Sequence, residues 1–493
     1  MKLFSDRKML SLLFLVVLGL VFSFGQTVEA SYNPAAIGQG GTGAVNTGIP
    51  ALFDNPAAVH VDNPGVFSLD LGFAGGVGNN YFDYDIIVEM LEDEDYEDII
   101  DDLGDDGLRV YGDFAGGARA RFGPAGAFQG SISPFAAVRG DAAGNVGAGV
   151  FRFASDFDDI DFEDLEDEEV FEEVEDLALD LGDTEAAFGT YADLGVGLSY
   201  DVTDTLGSEL AADFSQEEGE VNIDKLTLGA NLHYLQGAAG EVTGTGRLDF
   251  ERVEFSTEDI DGIDEDVTEE LVMPLGELQA EASHSQDEVA GGIGLDIGAY
   301  GEFNDRYAAG FSVQNLLGSV STDAGQVIDA DLNLEEDELR DKIYERAEEK
   351  YDDGSPPEEA IQQAFVEVLE EELDETYDES EGTASYRLPL VLRAAGSMEA
   401  IEDVTVSGGL TFKNSSLGPN DLRLAAGVET AQLSPLKVRG GANYSSQRQG
   451  LILTTGLGLD LGALRADFSL AGLRALTGSS QNLEGGFNLG LEF

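Results

Sequence analysis

Apolar and polar positions alternate with a period of two through much of this chain. From Val66 to Ala74, VFSLDLGFA sets Phe67, Leu69, Leu71 and Phe73 on one face and Ser68, Asp70, Gly72 and Ala74 on the other. That is a strand with one apolar face and one polar or small face. Residues 107–122 repeat the pattern, with Leu108, Val110, Phe114 and Phe122 opposite Arg109, Tyr111, Asp113, Arg119 and Arg121. Both arginines of Arg-Ala-Arg thus fall on the polar side, and a lumen lined by such residues is polar. The last residues, GGFNLGLEF, set Phe487, Leu489, Leu491 and the terminal Phe493 against Gly486, Asn488, Gly490 and Glu492.

From Tyr386 onward strands are predicted at 386–398, 402–413, 421–433, 436–446, 450–461, 463–471 and 482–493. Spans of about ten residues suit tilted strands crossing a bilayer. With the last strand descending to the periplasm, alternate connections are short (400–403, 434–435 and 461–463) and the others (414–420, 445–449 and 472–481) are longer and rich in Ser, Gly and Asn. That is the asymmetry of periplasmic turns and outward loops, and it places an insert at 323–385 outside. A soluble sandwich also alternates, but no second apolar face is offered to close one. The fold class predicted is all-β: a transmembrane antiparallel β-barrel of about 14 to 18 strands interrupted by acidic α-helical inserts.

The N-terminus reads as an export address. Lys2, Arg7 and Lys8 precede an apolar run from Met9 to Phe24, and Val28-Glu29-Ala30 supplies small residues for a signal peptidase. Residues 1–30 are expected to be a signal peptide cleaved after Ala30. Beyond it no apolar stretch reaches the roughly 18 residues of a spanning helix, so membrane residence requires a closed barrel, which satisfies every backbone group in lipid.

Charge is concentrated in three places. Of 493 residues, 98 are Asp or Glu and 25 Lys or Arg, for a net charge of −73. Residues 83–106 hold 13 acids and no base, 156–185 hold 17 and no base, and 329–381 hold 23 with four bases. Inserts are accordingly expected at 81–106, 156–185 and 323–385. Nucleic acid is excluded as a partner, because phosphate recognition needs clustered cations. Within the second insert Phe171, Val174, Leu177 or Ala178, and Leu181 recur at helical spacing. The third repeats this with Leu339, Ile343 and Ala347, then Ile361, Phe365, Val368 or Leu369, and Leu373, around a Gly354-Ser355-Pro356-Pro357 break. A helical hairpin is predicted there. The acid itself fits a surface kept hydrated at high salt; a lid, a dock for a basic partner and a cation sink are the alternatives.

Candidate chemistry is sparse. With 0 Cys there are no disulfides, thiol nucleophiles or thiolate metal sites, and His60, His233 and His284 are scattered. Aligning Gly262 with the turn of a calcium-binding EF-hand loop places Thr257, Asp259 and Asp261 at early ligand positions, but Thr268 stands where a bidentate Glu is needed. A low-affinity cation site or a solvated loop are both open there. No nucleophile elbow, P-loop or zinc-protease motif occurs, so no enzyme, cofactor or resident metal is expected.

Residues 35–59, AAIGQGGTGAVNTGIPALFDNPAAV, resemble the opening of the FadL-like outer-membrane barrels. There a Gly-rich segment followed by Asn-Pro-Ala forms a hatch plugging the lumen. The matching residues are Gly38, Gly40, Gly41, Gly43, Ala51, Asn55, Pro56 and Ala57. Glycine permits left-handed turns in a narrow bore, Pro56 fixes a bend and Asn55 can cap it. DKLTLGANLHYLQG (224–237) and YAAGFSVQNLLGSV (307–320) resemble the conjugal-transfer TraF-like branch, and SYRLPLVLRAAGSM (385–398) and LSPLKVRGGANYSS (433–446) the secretion-associated PorV-like branch. The resemblance implies a hatch at 31–64, a barrel at 65–493 and residence in the outer membrane of a diderm bacterium. The apolar face of Phe487, Leu489, Leu491 and Phe493 resembles the insertion signal read by the barrel-assembly machinery. Two functions follow from it. One is passive passage of small hydrophobic or amphiphilic molecules, with membrane lipid and such cargo as partners. The other is a scaffold binding secretion or conjugation proteins. The acidic inserts depart from the FadL pattern, so transport of long-chain fatty acids is not carried over.

Overall fold

The alternating segments form one antiparallel sheet that closes on itself. The computed structural model describes residues 33–60, 66–79, 108–123, 129–150, 152–153, 178–182, 184–207, 222–256, 268–285, 289–352, 355–375, 377–414, 420–446, 450–472 and 482–493. Its strands are β1 (Phe67–Asn79), β2 (Leu108–Phe122), β3 (Gly130–Val146), β4 (Ala178–Asp180), β5 (Thr184–Asp201), β6 (Ile223–Ser256), β7 (Thr268–His284), β8 (Ala290–Phe303), β9 (Tyr307–Gln314), β10 (Ser319–Leu334), β11 (Tyr377–Arg387), β12 (Leu390–Ile401), β13 (Val404–Asn414), β14 (Asp421–Leu433), β15 (Leu436–Ser445), β16 (Gly450–Asp460), β17 (Leu464–Ala471) and β18 (Asn482–Glu492). Among the described residues fourteen of these close a ring, in the order β1-β2-β3-β5-β6-β8-β9-β12-β13-β14-β15-β16-β17-β18 and back to β1. The seam is a continuous register from Ser68↔Glu492 to Gly78↔Asn482, so no edge strand is left in the ring.

The side-chain faces decide what surrounds it. Leu71, Phe73, Leu194, Leu198, Leu232, Ile293, Phe311, Leu410, Leu424, Leu457 and Phe487 stand exposed on the outside, while Ser68, Asp70, Arg119, Arg121, Asp193, Asn231, Ser312, Arg393, Arg439 and Asn488 are buried within. An apolar exterior around a polar interior is the inverse of a soluble protein and the arrangement of a transmembrane barrel. Phe67 packs on Phe122 and Phe493 with centroids 5.2 and 6.3 Å apart. With Tyr200 and Tyr307 they make an aromatic rim at one end, the interfacial position such rings favour. Among the described residues no helix is long and apolar enough to cross a membrane; strands make the crossing.

The seven strands predicted after Tyr386 fall on β12 to β18 within a few residues. The exception is the start at Tyr386, which belongs to β11 together with Arg387, because Leu388 and Pro389 separate β11 from β12. The short turns 402–403, 434–435 and 461–463 share one end with the β8–β9 turn at 304–306 and with the Phe67–Phe493 pairing. The β13–β14, β15–β16 and β17–β18 connections and insert 323–385 leave from the opposite end, whereas the β2–β3 connection (123–129) and the β5–β6 connection (202–222) share the end of the short turns. The chain quits β3 at Val146, whose partner Leu108 begins β2, and returns at Thr184 of β5. Insert 156–185 therefore attaches at the same end as insert 323–385, which sequence parity left open.

Two insert boundaries need correcting. Ala178–Asp180 is a strand paired with Arg247–Asp249 of β6, and β5 begins at Thr184, so the end of insert 156–185 is sheet rather than helix. Phe171, Val174 and Leu177, the whole of insert 81–106, the Gly262 loop and residues 1–30 lie outside the described residues. Insert 323–385 is not helical throughout: α2 (Glu336–Asp352) and α3 (Pro357–Glu375) stand on strands β10 and β11. β6 runs 34 residues, about three times what a bilayer needs, and its far half pairs with β7, which pairs with β10. This sheet beyond the rim is what covers the predicted stripe. Leu339, Ile343, Ala347, Ile361, Ala364 and Val368 bury against one another and against Leu248, Val253, Phe255, Met273, Leu332 and Leu334. Lys342 reaches Glu372 at 2.6 Å and Lys350 reaches Glu367 at 2.5 Å across the hairpin. Ile361, fully buried, predicts an Ile361→Val cost of about 1 kcal/mol. It is to be read as faster amide exchange in α2 and α3 with no change in β12 to β18.

Candidate functional site

The lumen is not empty. Residues 33–60 form α1 (Pro34–Gly38) and three single turns of 3-10 helix at Gly43–Val45, Ile49–Phe53 and Pro56–His60. Asn33 caps α1 by accepting from Ala35 N at 3.1 Å, and Pro34 takes the first helical position, where a missing N–H costs nothing. Such irregular backbone leaves carbonyls that need donors, and the inward-facing polar side chains supply them. Thr227 and Ser199 donate to Ala57 O at 2.8 and 3.1 Å, Asn231 to Leu52 O at 2.7 Å, Ser312 to Asp54 O at 2.6 Å, Thr454 to Gly38 O at 3.1 Å and Arg119 to Pro50 O at 3.2 Å. These donors sit on β2, β5, β6, β9 and β16, on several sides of the ring. The segment is therefore held across the bore by its backbone.

The residues singled out in the sequence come together here for differing reasons. Gly40 and Gly41 turn the chain with φ of 79° and 100°, as left-handed turns require. A Cβ on Gly40 would stand 2.7 and 2.8 Å from Ala442 O and Ala426 O of the wall; around Gly41 there is open space. Gly38 and Gly43 have ordinary torsions and matter as close approaches instead. A Cβ would meet Gly456 Cα at 3.1 Å in the first and the Asp54 carboxyl at 2.7 Å in the second. The wall reciprocates: a side chain on Gly229, Gly298, Gly310, Gly427 or Gly441 would enter the backbone or Asn55 of the segment.

Asn55 does more than cap. Its Oδ1 accepts from Ala57 N at 3.1 Å, closing the bend at Pro56, while Nδ2 donates to Ala44 O at 2.9 Å and Ala299 O at 3.0 Å. One fully buried amide thus ties the Gly-rich half, the Asn-Pro-Ala half and strand β8 together. Pro56 starts the last turn and Ala57 is fully buried. At the far terminus Phe487, Leu489, Leu491 and Phe493 all face outward, and Phe487 lies in register with Phe73 of β1 and Phe468 of β17 across the seam.

Sequence reasoning passed over the lumen's charged cluster. His233 is buried with Nδ1 3.0 Å from Asp193 Oδ1 and Nε2 2.7 Å from Asp296 Oδ2. Arg139 joins Asp193 at 2.6 Å and lies 4.3 Å over the Phe53 ring. Arg119 pairs with Asp70, and Arg439 holds Glu429 and Asp467 at 2.6 and 2.5 Å. A signal was present, since Asp193, His233 and Asp296 each occupy the polar parity of their strands. Their separations of 40 and 63 residues kept them from being read as a group. Between the segment and the wall, at the short-turn end, a cavity of about 360 Å³ is lined by Asn33, Gln39, Asn46, Arg439, Asp467 and Asn488 among others. Among the described residues no cluster of His, Asp and Glu is disposed to hold a metal ion.

A closed barrel with a lipid-facing exterior and an occupied polar lumen is the class these features define. The model of the family of unknown function DUF5723 matches residues 56–469, and the chain belongs to that family. No curated protein matches it. Among solved structures the chain is similar to the Ralstonia pickettii toluene transporter TbuX at 13% identity, covering 96% of this chain and 100% of that one with a TM-score of 0.47. It is similar also to a Pseudomonas aeruginosa FadL homologue at 12% identity, covering 95% and 100% with a TM-score of 0.49. A third is the P. putida toluene transporter TodX at 12% identity, 94% and 99% covered, TM-score 0.47.

Proposed function

We propose that this chain is an outer-membrane channel in which residues 33–60 act as a hatch, and that it passes small amphiphilic or hydrophobic molecules passively. The observation that supports this most is the way the segment is held. It crosses the bore on hydrogen bonds from wall side chains to its own carbonyls, each of modest net strength, so it can be displaced without breaking the barrel. Nothing in the sequence supplies an energy source. The polar and charged lining of the cavity beside it, with Gln39, Arg439, Asp467 and Asn488, favours the amphiphilic end of the cargo range over bare hydrocarbon, because hydrocarbon would displace water from those groups and return no hydrogen bond. On this reading Phe487, Leu489, Leu491 and Phe493 are the face recognised during membrane insertion. The acidic inserts and the longer loops between β13 and β18 face outward, and residues 1–30 are the export signal.

The scaffold reading has less to stand on. The apolar stripes of α2 and α3 are covered by their own sheet, which leaves a mainly charged outer surface. The test is purification in detergent followed by mass spectrometry of bound small molecules, together with uptake into vesicles carrying the protein. Copurifying lipid-like ligands and saturable uptake support a channel. Stoichiometric protein partners, with no ligand and no uptake, reject it.

A further inference from the structure

The buried histidine has the geometry of a two-sided proton-dependent tie. Neighbouring strands place Gly195 and Gly294 directly opposite His233, giving the ring a groove between β5 and β8. Each ring nitrogen then faces a different carboxylate, Asp193 at 3.0 Å and Asp296 at 2.7 Å. Only the doubly protonated ring donates to both; a neutral ring turns a lone pair toward one carboxylate. Arg139 from β3, 2.6 Å from Asp193, is the further charge joined to the pair, and the Phe135 ring of β3 lies 5.1 Å from the imidazole; elsewhere in the bore Tyr191 of β5 meets Asp141 of β3 at 3.5 Å and Asp54 of the hatch stands 3.8 Å from Arg393 of β12. With the imidazolium, Asp193 and Asp296 are balanced by Arg139 and His233. Without it, two buried carboxylates share one guanidinium, which is unfavourable in a water-poor interior.

The cluster touches the hatch by two arms. Asn231 bridges Asp296 at 3.2 Å and Leu52 O at 2.7 Å, and Arg139 bridges Asp193 and the Phe53 ring. We propose that Asp193, His233 and Asp296 form the latch of the passage: the doubly protonated ring keeps the hatch seated at Leu52 and Phe53, and loss of one proton releases it. This rests on the hatch reading above. The sign is fixed by the chemistry, since the latch is made at low pH and lost as pH rises.

The test is potassium chloride conductance of the full-length protein in planar bilayers. With 0 Cys in the chain, a Thr42→Cys/Gly409→Cys pair, away from the latch arms, can tie the hatch to β13 by oxidation; a Cβ on Gly409 would lie 3.6 Å from Thr42 Cα. Wild type is expected to rise about tenfold in conductance between about pH 6 and about pH 10. His233→Gln should already be raised at the lower pH and stay flat. Asp296→Asn, which leaves one oxygen for the donors His233, Asn231 and Asn315 that the carboxylate now serves, should likewise be raised at the lower pH and stay flat. Oxidised T42C/G409C should remain low, and reduction should restore the rise. If H233Q and D296N follow wild type while reduction of the pair still raises conductance, the latch is overturned and the hatch stands. If oxidised and reduced protein conduct alike, the hatch reading falls and the latch with it.

Discussion

In an Asn55→Ala variant the segment 33–60 is expected to leave its seat in the lumen while the ring of strands persists. The truncation leaves Ala44 O, Ala299 O and Ala57 N without the partner they share. Each orphaned buried group costs about 1–3 kcal/mol, and coupling among the three brings the total to about 3–5 kcal/mol. That exceeds what any one wall-to-carbonyl bond at Ser199, Thr227 or Ser312 returns, so the Asn-Pro-Ala half should open locally. Amide exchange is the measurement: residues 43–58 should lose protection by two orders of magnitude or more, with β12 to β18 unaffected. Asn55→Asp separates the parts of the effect. It keeps the acceptor for Ala57 N and loses the donor to Ala44 O and Ala299 O, so the bend should survive while contact with β8 is lost. Equal protection in wild type and N55A would mean that the amide is redundant and the segment is held by shape alone.

The fold was legible where neighbours in space are also neighbours in sequence. From β12 to β18 every pairing is a hairpin, and two-residue alternation with a Gly-, Ser- or Asn-rich break determines both strand and register. The α2–α3 hairpin was legible for the same reason: Leu339, Ile343 and Ala347 recur at helical spacing and their cover lies one turn away at Ile361 and Ala364. Legibility failed where a strand changes partner midway. β6 pairs with β8 up to Gly237 and with β7 from Gly240, and nothing in the alternation marks the switch, because both halves are half-buried sheet. Ala178–Asp180 was drawn into a helical stripe since three residues cannot reveal a period. At the site, Asn55 was recognised as a cap from local sequence, but its bond to Ala299, 244 residues away, was not readable. The His233 cluster was hidden in the same way, with each member looking like an ordinary lumen residue on its own strand.

The lipid-facing exterior makes a sharper prediction than burial alone, because its cost depends on depth. Leu232 stands 56% exposed about halfway along the barrel part of β6, and Leu433 stands 61% exposed where β14 ends at a short turn. By accessibility the two are equivalent, and in a water-soluble sheet Arg at either would be nearly neutral. In a bilayer Leu232→Arg should cost about 2–4 kcal/mol and Leu433→Arg about 0–1 kcal/mol, since the second can reach the headgroups. Urea unfolding of the folded protein in phospholipid vesicles measures both. A midpoint lowered for L232R and unchanged for L433R is the expected result. Equal, small shifts would place Leu232 in water, and the channel would lose its membrane. Neither shift depends on how residues 33–60 are seated, so the pair tests separately the outward direction of the apolar face.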